Sequence, residues 1–317
     1  MDTKEALQKY HWLSNYMWRS IPKEKDEFTR RVAEDFSGGY FLRILPNTEV
    51  TFPLQSCLVI TQEELEQRLH NIIIVEENSK VHLITSCLQH STAMVASHIG
   101  VTETYVKRGA QLNSTMVHQW RDETVVRPRS ASIIEENGTF VSNYICLRPV
   151  RDVQMYPVAY CKGEGSKAIF NSILYGHRNT FMDIGSKIIL DGRESRAEMI
   201  SRAVTREGSK IIVRGSIEGN GQECRGHLEC KGLILDDESF IQSIPELTAR
   251  SKSIEITHEA AVGRISEKEI VYLMTRRLSK EQAVSLIVRG FMDASIMGLP
   301  EALTTEISRI IEIAAKS

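Results

Sequence analysis

Gly165-Ser166-Lys167-Ala168-Ile169-Phe170, Gly185-Ser186-Lys187-Ile188-Ile189-Leu190 and Gly208-Ser209-Lys210-Ile211-Ile212-Val213 all read G-S-K-[AI]-I-[FLV], at spacings of 20 and 23 residues. A glycine-serine corner followed by a short apolar strand, recurring at intervals of this size, suits a solenoid in which each strand pairs with its counterpart in the next coil. An antiparallel sandwich whose turns share composition is the plainer alternative. Around the repeat, from about Ile72 to Ile256, short runs of Val, Ile, Thr and Leu alternate with Gly, Asn, Asp and Ser, and only Pro128, Pro149, Pro157 and Pro245 interrupt them. Many short strands are therefore expected. The sequence predicts a mainly β protein, a parallel β-helix (solenoid) over 72–257, flanked by an N-terminal α/β segment (1–71, mixed helical) and a C-terminal small helical domain (258–317).

The flanks carry helical signals. Leu7, Tyr10, Leu13 and Met17 recur at helical spacing, predicting a helix through about residue 18, before a break at Ile21-Pro22. Thr61-Gln62-Glu63-Glu64 has the T-x-x-E form of a capping box and predicts a second short helix. Ser266-Glu267-Lys268-Glu269 and Ser279-Lys280-Glu281-Gln282 fit the same device, opening stripes of Ile270, Leu273 and Met274, and of Ala283, Leu286, Ile287 and Phe291. Pro300 then suits the first turn of a last helix bearing Leu303, Ile307, Ile310 and Ile311.

Composition excludes several classes of function. The 317 residues are enough for about two domains of typical size. With 39 basic and 41 acidic side chains the net charge is −2, so nothing in the balance favours a nucleic acid or a membrane surface. The longest aliphatic run, Ile72-Ile73-Ile74-Val75, falls far short of the roughly 20 apolar residues that span a bilayer. Met1-Asp2-Thr3-Lys4-Glu5 lacks the basic-then-apolar profile of a secretory signal, so a cytoplasmic location is expected. Six cysteines (Cys57, Cys87, Cys146, Cys161, Cys224, Cys230) are too few for a disulfide scaffold, and most are expected in the core.

The familiar phosphate-loop, dinucleotide, zinc-protease, nucleophile-elbow and C-x-x-C patterns are all missing from the sequence. Cys224-Arg225-Gly226-His227-Leu228-Glu229-Cys230 suggests zinc, but on one strand the two thiols would stand roughly 20 Å apart with His227 on the other side. His258 and Glu259 lie side by side where strands are expected to give way to helices, a position where capping or hydrogen-bonding roles compete with metal ligation.

Three segments then carry a resemblance. His258-Glu259-Ala260-Ala261-Val262-Gly263-Arg264-Ile265, Val271-Tyr272-Leu273-Met274-Thr275-Arg276-Arg277 and Leu286-Ile287-Val288-Arg289-Gly290-Phe291 follow the C-terminal pattern of the SufB/SufD family of iron–sulfur cluster assembly proteins. The likeness runs from about Arg193 to Ile311. It implies a right-handed β-helix ahead of a helical domain. It also implies three metal-ligating positions: His258 on the histidine shared by SufB and SufD, Glu259 on the SufB glutamate that SufD replaces with glycine, and Cys230, 29 positions before Glu259, on the SufB cysteine implicated in cluster formation. SufB is thus the nearer relative. The chain is shorter than SufB and lacks its N-terminal cysteine motif, and the second, sulfur-accepting cysteine falls on Cys87, Cys146 or Cys161.

The chemistry agrees with the residues. A scaffold must hold iron and sulfide and then release them, which favours few thiolates supplemented by nitrogen and oxygen donors. The resemblance implies a transient iron–sulfur cluster built at a dimer interface, a homodimer in place of the SufB–SufD pair, and a SufC-like ABC ATPase docking on the C-terminal helices. Cluster carriers or apo-proteins would be the acceptors. A reduced flavin is compatible with this reading, though no motif calls for one. The competing readings are a SufD-like structural partner without ligands and a β-helix polysaccharide lyase, the latter without the acidic calcium groove it would need.

Overall fold

The computed structural model describes all residues except 62–64, 90–94, 294–296, 298, 300, 302–303, 306, 310 and 312–317. About half of the chain, 51%, is strand. The strands alternate between two stacked sheets, and every ladder in both is parallel. The result is a β-solenoid of about seven turns. One sheet has eight strands, from Leu54–Ile60 through Lys167–Gly176, Arg196–Thr205 and Arg225–Ile234 to Glu255–Arg264. The other runs from Phe41–Ile44 through Phe181–Leu190 and Lys210–Gly219 to Phe240–Ala249. Two of its rungs are split, into Thr124–Val126 with Arg129–Ile134 and Asp152–Met155 with Val158–Cys161. Pro128 and Pro157 occupy the breaks, where a residue without an N–H cannot donate to the ladder.

The solenoid expectation holds, but the G-S-K spacing is not its period. Lys167 faces Arg196, Arg196 faces Arg225 and Arg225 faces Glu255, steps of 29, 29 and 30 residues. Gly165 (φ +65°) and Gly208 (φ +69°) do sit at corners, yet the strands they open belong to opposite sheets. Gly185 lies inside a strand, where a Cβ would come within 2.5 Å of the Arg214 side chain. The motif therefore recurs in three places for two physical reasons, turn geometry and close packing.

After most of the positive-φ corners comes a small buried residue. The Ser166 and Ser195 hydroxyls donate to the Gly163 and Gly192 carbonyls at 2.6 and 2.7 Å. Cys224 fills the equivalent place one coil on, with Sγ 3.4 Å from the Ser195 hydroxyl and from the Gly192 carbonyl. Cys224 is thus a corner residue just outside the strand that carries His227 and Cys230, and among the described residues no group of three or more His, Cys, Asp and Glu forms a metal position there.

Both outer faces of the solenoid are covered, which is why Ile72, Ile73, Ile74 and Val75 are all buried despite pointing alternately in and out. The N-terminal segment covers Phe41, Ile72, Ile74 and Tyr105, then Ile99, Val101 and Ala131. Its helix ends at Lys9 instead of continuing to residue 18, and a 3-10 turn follows over His11–Asn15. Contacts of Tyr10 and Trp12 with Phe41, at ring-centroid distances of 6.0 Å, override the helical period there. The short helix expected to open at Thr61 falls on residues 62–64, which lie outside the described residues; Glu66 begins a ten-residue strand.

At the other end, strands reach Arg264, so His258 and Glu259 stand within a strand and not at the entrance to a helix. Helices Glu267–Met274 and Lys280–Phe291 follow. Ser279 and Gln282 form the full capping box, whereas the Ser266 side chain makes no capping bond. Val288, Met292, Met297, Ile307 and Ile311 pack with Val117, Ile145, Ile173, Tyr175 and Val204 on the outer face of the eight-stranded sheet. Pro300, Leu303 and Ile310 of the expected last helix lie outside the described residues. Among the described residues no helix is long and apolar enough to cross a membrane.

Candidate functional site

Cys230 belongs to the strand Arg225–Ile234, in which Gly226, Leu228, Cys230 and Gly232 are buried and the residues between them face outward. The last strand pairs with it in register, Leu228 opposite His258, Glu229 opposite Glu259 and Cys230 opposite Ala260. Alternation then fixes direction: His258 shares the inward face with Cys230, one rung over and two residues back, while Glu259 projects outward. Neighbours in sequence are thereby separated in space. Cys230 is 4% exposed, and burial pushes its thiol up, an effect the Ser243 hydroxyl partly opposes. Glu259 is 59% exposed and accepts from Lys231 Nζ at 3.2 Å. Among the described residues no group of three or more His, Cys, Asp and Glu converges on one metal position.

What surrounds these groups is an uncovered end. Among the described residues Glu255–Arg264 and Phe240–Ala249 are the terminal strands of their sheets, each with a neighbour on one side only. Every residue of Glu255–Arg264 except Ile256 is exposed, and Phe240, Leu247 and Val262 place apolar side chains there at 47%, 40% and 41% exposure. A long, flat edge with unpaired backbone groups and apolar side chains is a template for another chain. His258 points inward yet is exposed because, among the described residues, no further coil stacks on it.

The remaining cysteines occupy different environments. Cys87 faces His118, and His118 faces Cys146, in three successive coils of the eight-stranded sheet. All three are buried; burial pushes each thiol up to about 12 and drives the imidazole well below its usual value. The Tyr144 hydroxyl and His118 Nδ1 are 2.8 Å apart, while the buried His118 Nε2 and Trp120 Nε1 have no hydrogen-bond partner among the described residues. Cys161 lies in the other sheet and Cys57 is exposed. His118 was not singled out by sequence; the intervals of 31 and 28 residues from Cys87 through His118 to Cys146 are the signal that would have found it, once the coil length was known.

Among the described residues the parallel solenoid ends in an open coil with a thiol and an imidazole on its inner face. The sequence profile described as SUF system FeS cluster assembly, SufBD core domain, matches residues 58–291, and the chain belongs to that family. It is 45% identical over 320 residues to an iron–sulfur cluster assembly SufBD family protein of Methanothermobacter thermautotrophicus, covering 100% of this chain and 78% of that one. Its identity to the Archaeoglobus fulgidus SufBD family protein is 47% over 316 residues, covering 100% and 85%. With the iron–sulfur cluster assembly protein SufB of Bacillus subtilis it is 27% over 320 residues, covering 98% and 67%.

Proposed function

We propose that the chain is a scaffold on which a nascent iron–sulfur cluster is assembled between two copies, closer in role to SufB than to SufD. The open terminal coil carries this reading. A single chain offers one thiol and one imidazole on a shared face, with Glu259 on the other, so its own donors do not converge on one iron–sulfide unit. A two-fold partner on the same edge doubles the donors and brings carboxylates from a second direction. Separation of the chains would dissolve the coordination and release the cluster to a carrier or an apo-protein. A purely structural, SufD-like role leaves the cysteine and glutamate at 230 and 259 without a purpose.

The test is complementation. A Cys230→Ala chain mixed with a His258→Ala chain retains one intact thiol and one intact imidazole in each mixed dimer. Partial recovery of the iron–sulfur chromophore on anaerobic reconstitution is the expected result. No recovery would count against a single cross-chain pairing of thiol and imidazole as the site of assembly.

ATP hydrolysis belongs in this scheme to a separate ABC-type ATPase, since the chain has no phosphate loop. The helix Glu267–Met274 has no buried residue and presents Val271, Tyr272 and Met274 at 58%, 59% and 43% exposure. Tyr272, Leu273 and Ile287 line an open cleft of about 450 Å³ beside it. Removing all residues after Leu278 would also strip the cover from Val117, Ile145 and Tyr175, so a point change is the sharper probe. Val271→Asp with Tyr272→Asp should abolish co-purification of the ATPase while leaving the thermal midpoint within a few degrees, because both side chains are solvent-facing. An undiminished yield of ATPase would place the contact elsewhere.

A further inference from the structure

The outer face beside Glu259 carries a chain of charges that cluster binding does not itself require. Glu229 and Glu259 face each other across one rung, about 5 Å apart at the backbone. Two carboxylates so placed repel, and Lys231 answers both: its Nζ is 2.8 Å from Glu229 Oε2 and 3.2 Å from Glu259 Oε1. Arg202, which faces Lys231 in the preceding coil, donates from Nη2 to Glu229 Oε1 at 3.2 Å. From Nη1 it donates to the Phe291 carbonyl at 3.3 Å, and its guanidinium lies 5.9 Å from the Phe291 ring. Phe291 is the last residue of the helix Lys280–Phe291, where unpaired carbonyls and the helix dipole both favour a cation.

Exposure grades along this chain. Glu229 is 14% exposed, Arg202 21%, Lys231 29% and Glu259 59%. The contacts at the helix end and at Glu229 are therefore firm, and the contact at Glu259 is the one most easily exchanged with solvent or metal. Lys231 Nζ holds one oxygen of Glu259, and its positive charge opposes the approach of a ferrous ion to the same carboxylate, so ammonium and metal compete for it. We propose that Lys231 is a positioning residue that withholds Glu259 from iron, and that Glu229 and Arg202 tie it to the carbonyl end of the 280–291 helix, so that displacement of this helix changes the availability of Glu259. The inference rests on Glu259 being an iron ligand, as assigned above. It gives the C-terminal helices a physical route of four side chains to the edge of the solenoid, with two alternative partners for its final carboxylate.

The experiment is an anaerobic Fe(II) titration of the full chain. Lys231→Met should bind Fe(II) about tenfold more tightly than the unmodified protein. Lys231→Arg, which keeps the cation, should restore the original affinity, a result that a mere packing role for the side chain would not give. Arg202→Met should shift affinity in the same direction as Lys231→Met and add nothing further once residue 231 is Met. Unchanged affinity in Lys231→Met, while Cys230→Ala and Glu259→Ala lose binding, would overturn the positioning role and leave the site assignment standing. Full additivity of Arg202→Met and Lys231→Met would overturn the tie to the helix. Binding that survives both Cys230→Ala and Glu259→Ala, or an unmodified chain that takes up no Fe(II), would remove the site and the positioning role together.

Discussion

Anaerobic reconstitution of Cys230→Ala with iron and sulfide is expected to give no iron–sulfur chromophore, while the unmodified chain gives one. The thiolate is the strongest iron donor at the open coil, and alanine leaves only His258 and the carboxylates. The fold should survive the change. Cys230 is buried between Ser201 and Ala260 on its neighbouring strands, and loss of one sulfur atom from a packed position costs on the order of 1–2 kcal/mol. The thiol's raised pKa also has a consequence. Burial keeps Cys230 protonated in the isolated chain at neutral pH, so iron must displace a proton as it binds, and loading should improve as pH rises. A variant that reconstitutes a normal chromophore, with circular dichroism unchanged, would dismiss Cys230 as a ligand and leave it a structural thiol.

Glu103→Ala is expected to have the largest effect on stability, a loss of about 3–5 kcal/mol, with early release of the N-terminal segment to proteases. The Glu103 carboxylate is fully buried on the outer face of the second sheet. It accepts from His70 Nε2 at 2.9 Å, from the Ser20 amide at 2.7 Å, from the Ser20 hydroxyl at 3.0 Å and from the Trp18 amide. Alanine would strand all of these donors beneath the segment they anchor. Burial alone would raise this carboxyl, but the His70 hydrogen bond and charge, with the two amides, hold it below its usual 4.5. A depressed folded pKa means that the contribution is complete above about 4.5 and is lost as pH falls through the lower folded value. Acid should therefore loosen the N-terminal segment of the unmodified protein and have less further effect in Glu103→Ala. Urea unfolding at neutral pH and at pH 4 checks both statements; a midpoint in Glu103→Ala equal to that of the parent would show that the buried network does not hold the segment.

Local chemistry was enough to read the class of fold. Corners of glycine, asparagine and serine between short β-branched runs are written into every coil, because a positive-φ turn and a buried small residue are demands that a few adjacent residues meet by themselves. The box at Ser279 and Gln282 is legible for the same reason, its partners being three residues apart. The C-terminal motifs were equally local, and they led to the family and to the residues proposed as ligands.

Tertiary structure alone decided how the coils stack. The 29-to-30-residue period was hidden because G-S-K serves both a corner and a strand interior, and only inter-strand register tells them apart. Register also sends Cys230 and His258 to one face and Glu259 to the other, a separation that adjacency in sequence conceals until strand, not helix, is known to pass through them. The pairing of His70 with Glu103, 33 residues away, is of the same kind. Turns and caps are satisfied by neighbours along the chain, whereas which faces meet, and which buried charge finds a partner, depends on packing between segments roughly one coil apart, and no short stretch of sequence carries that distance.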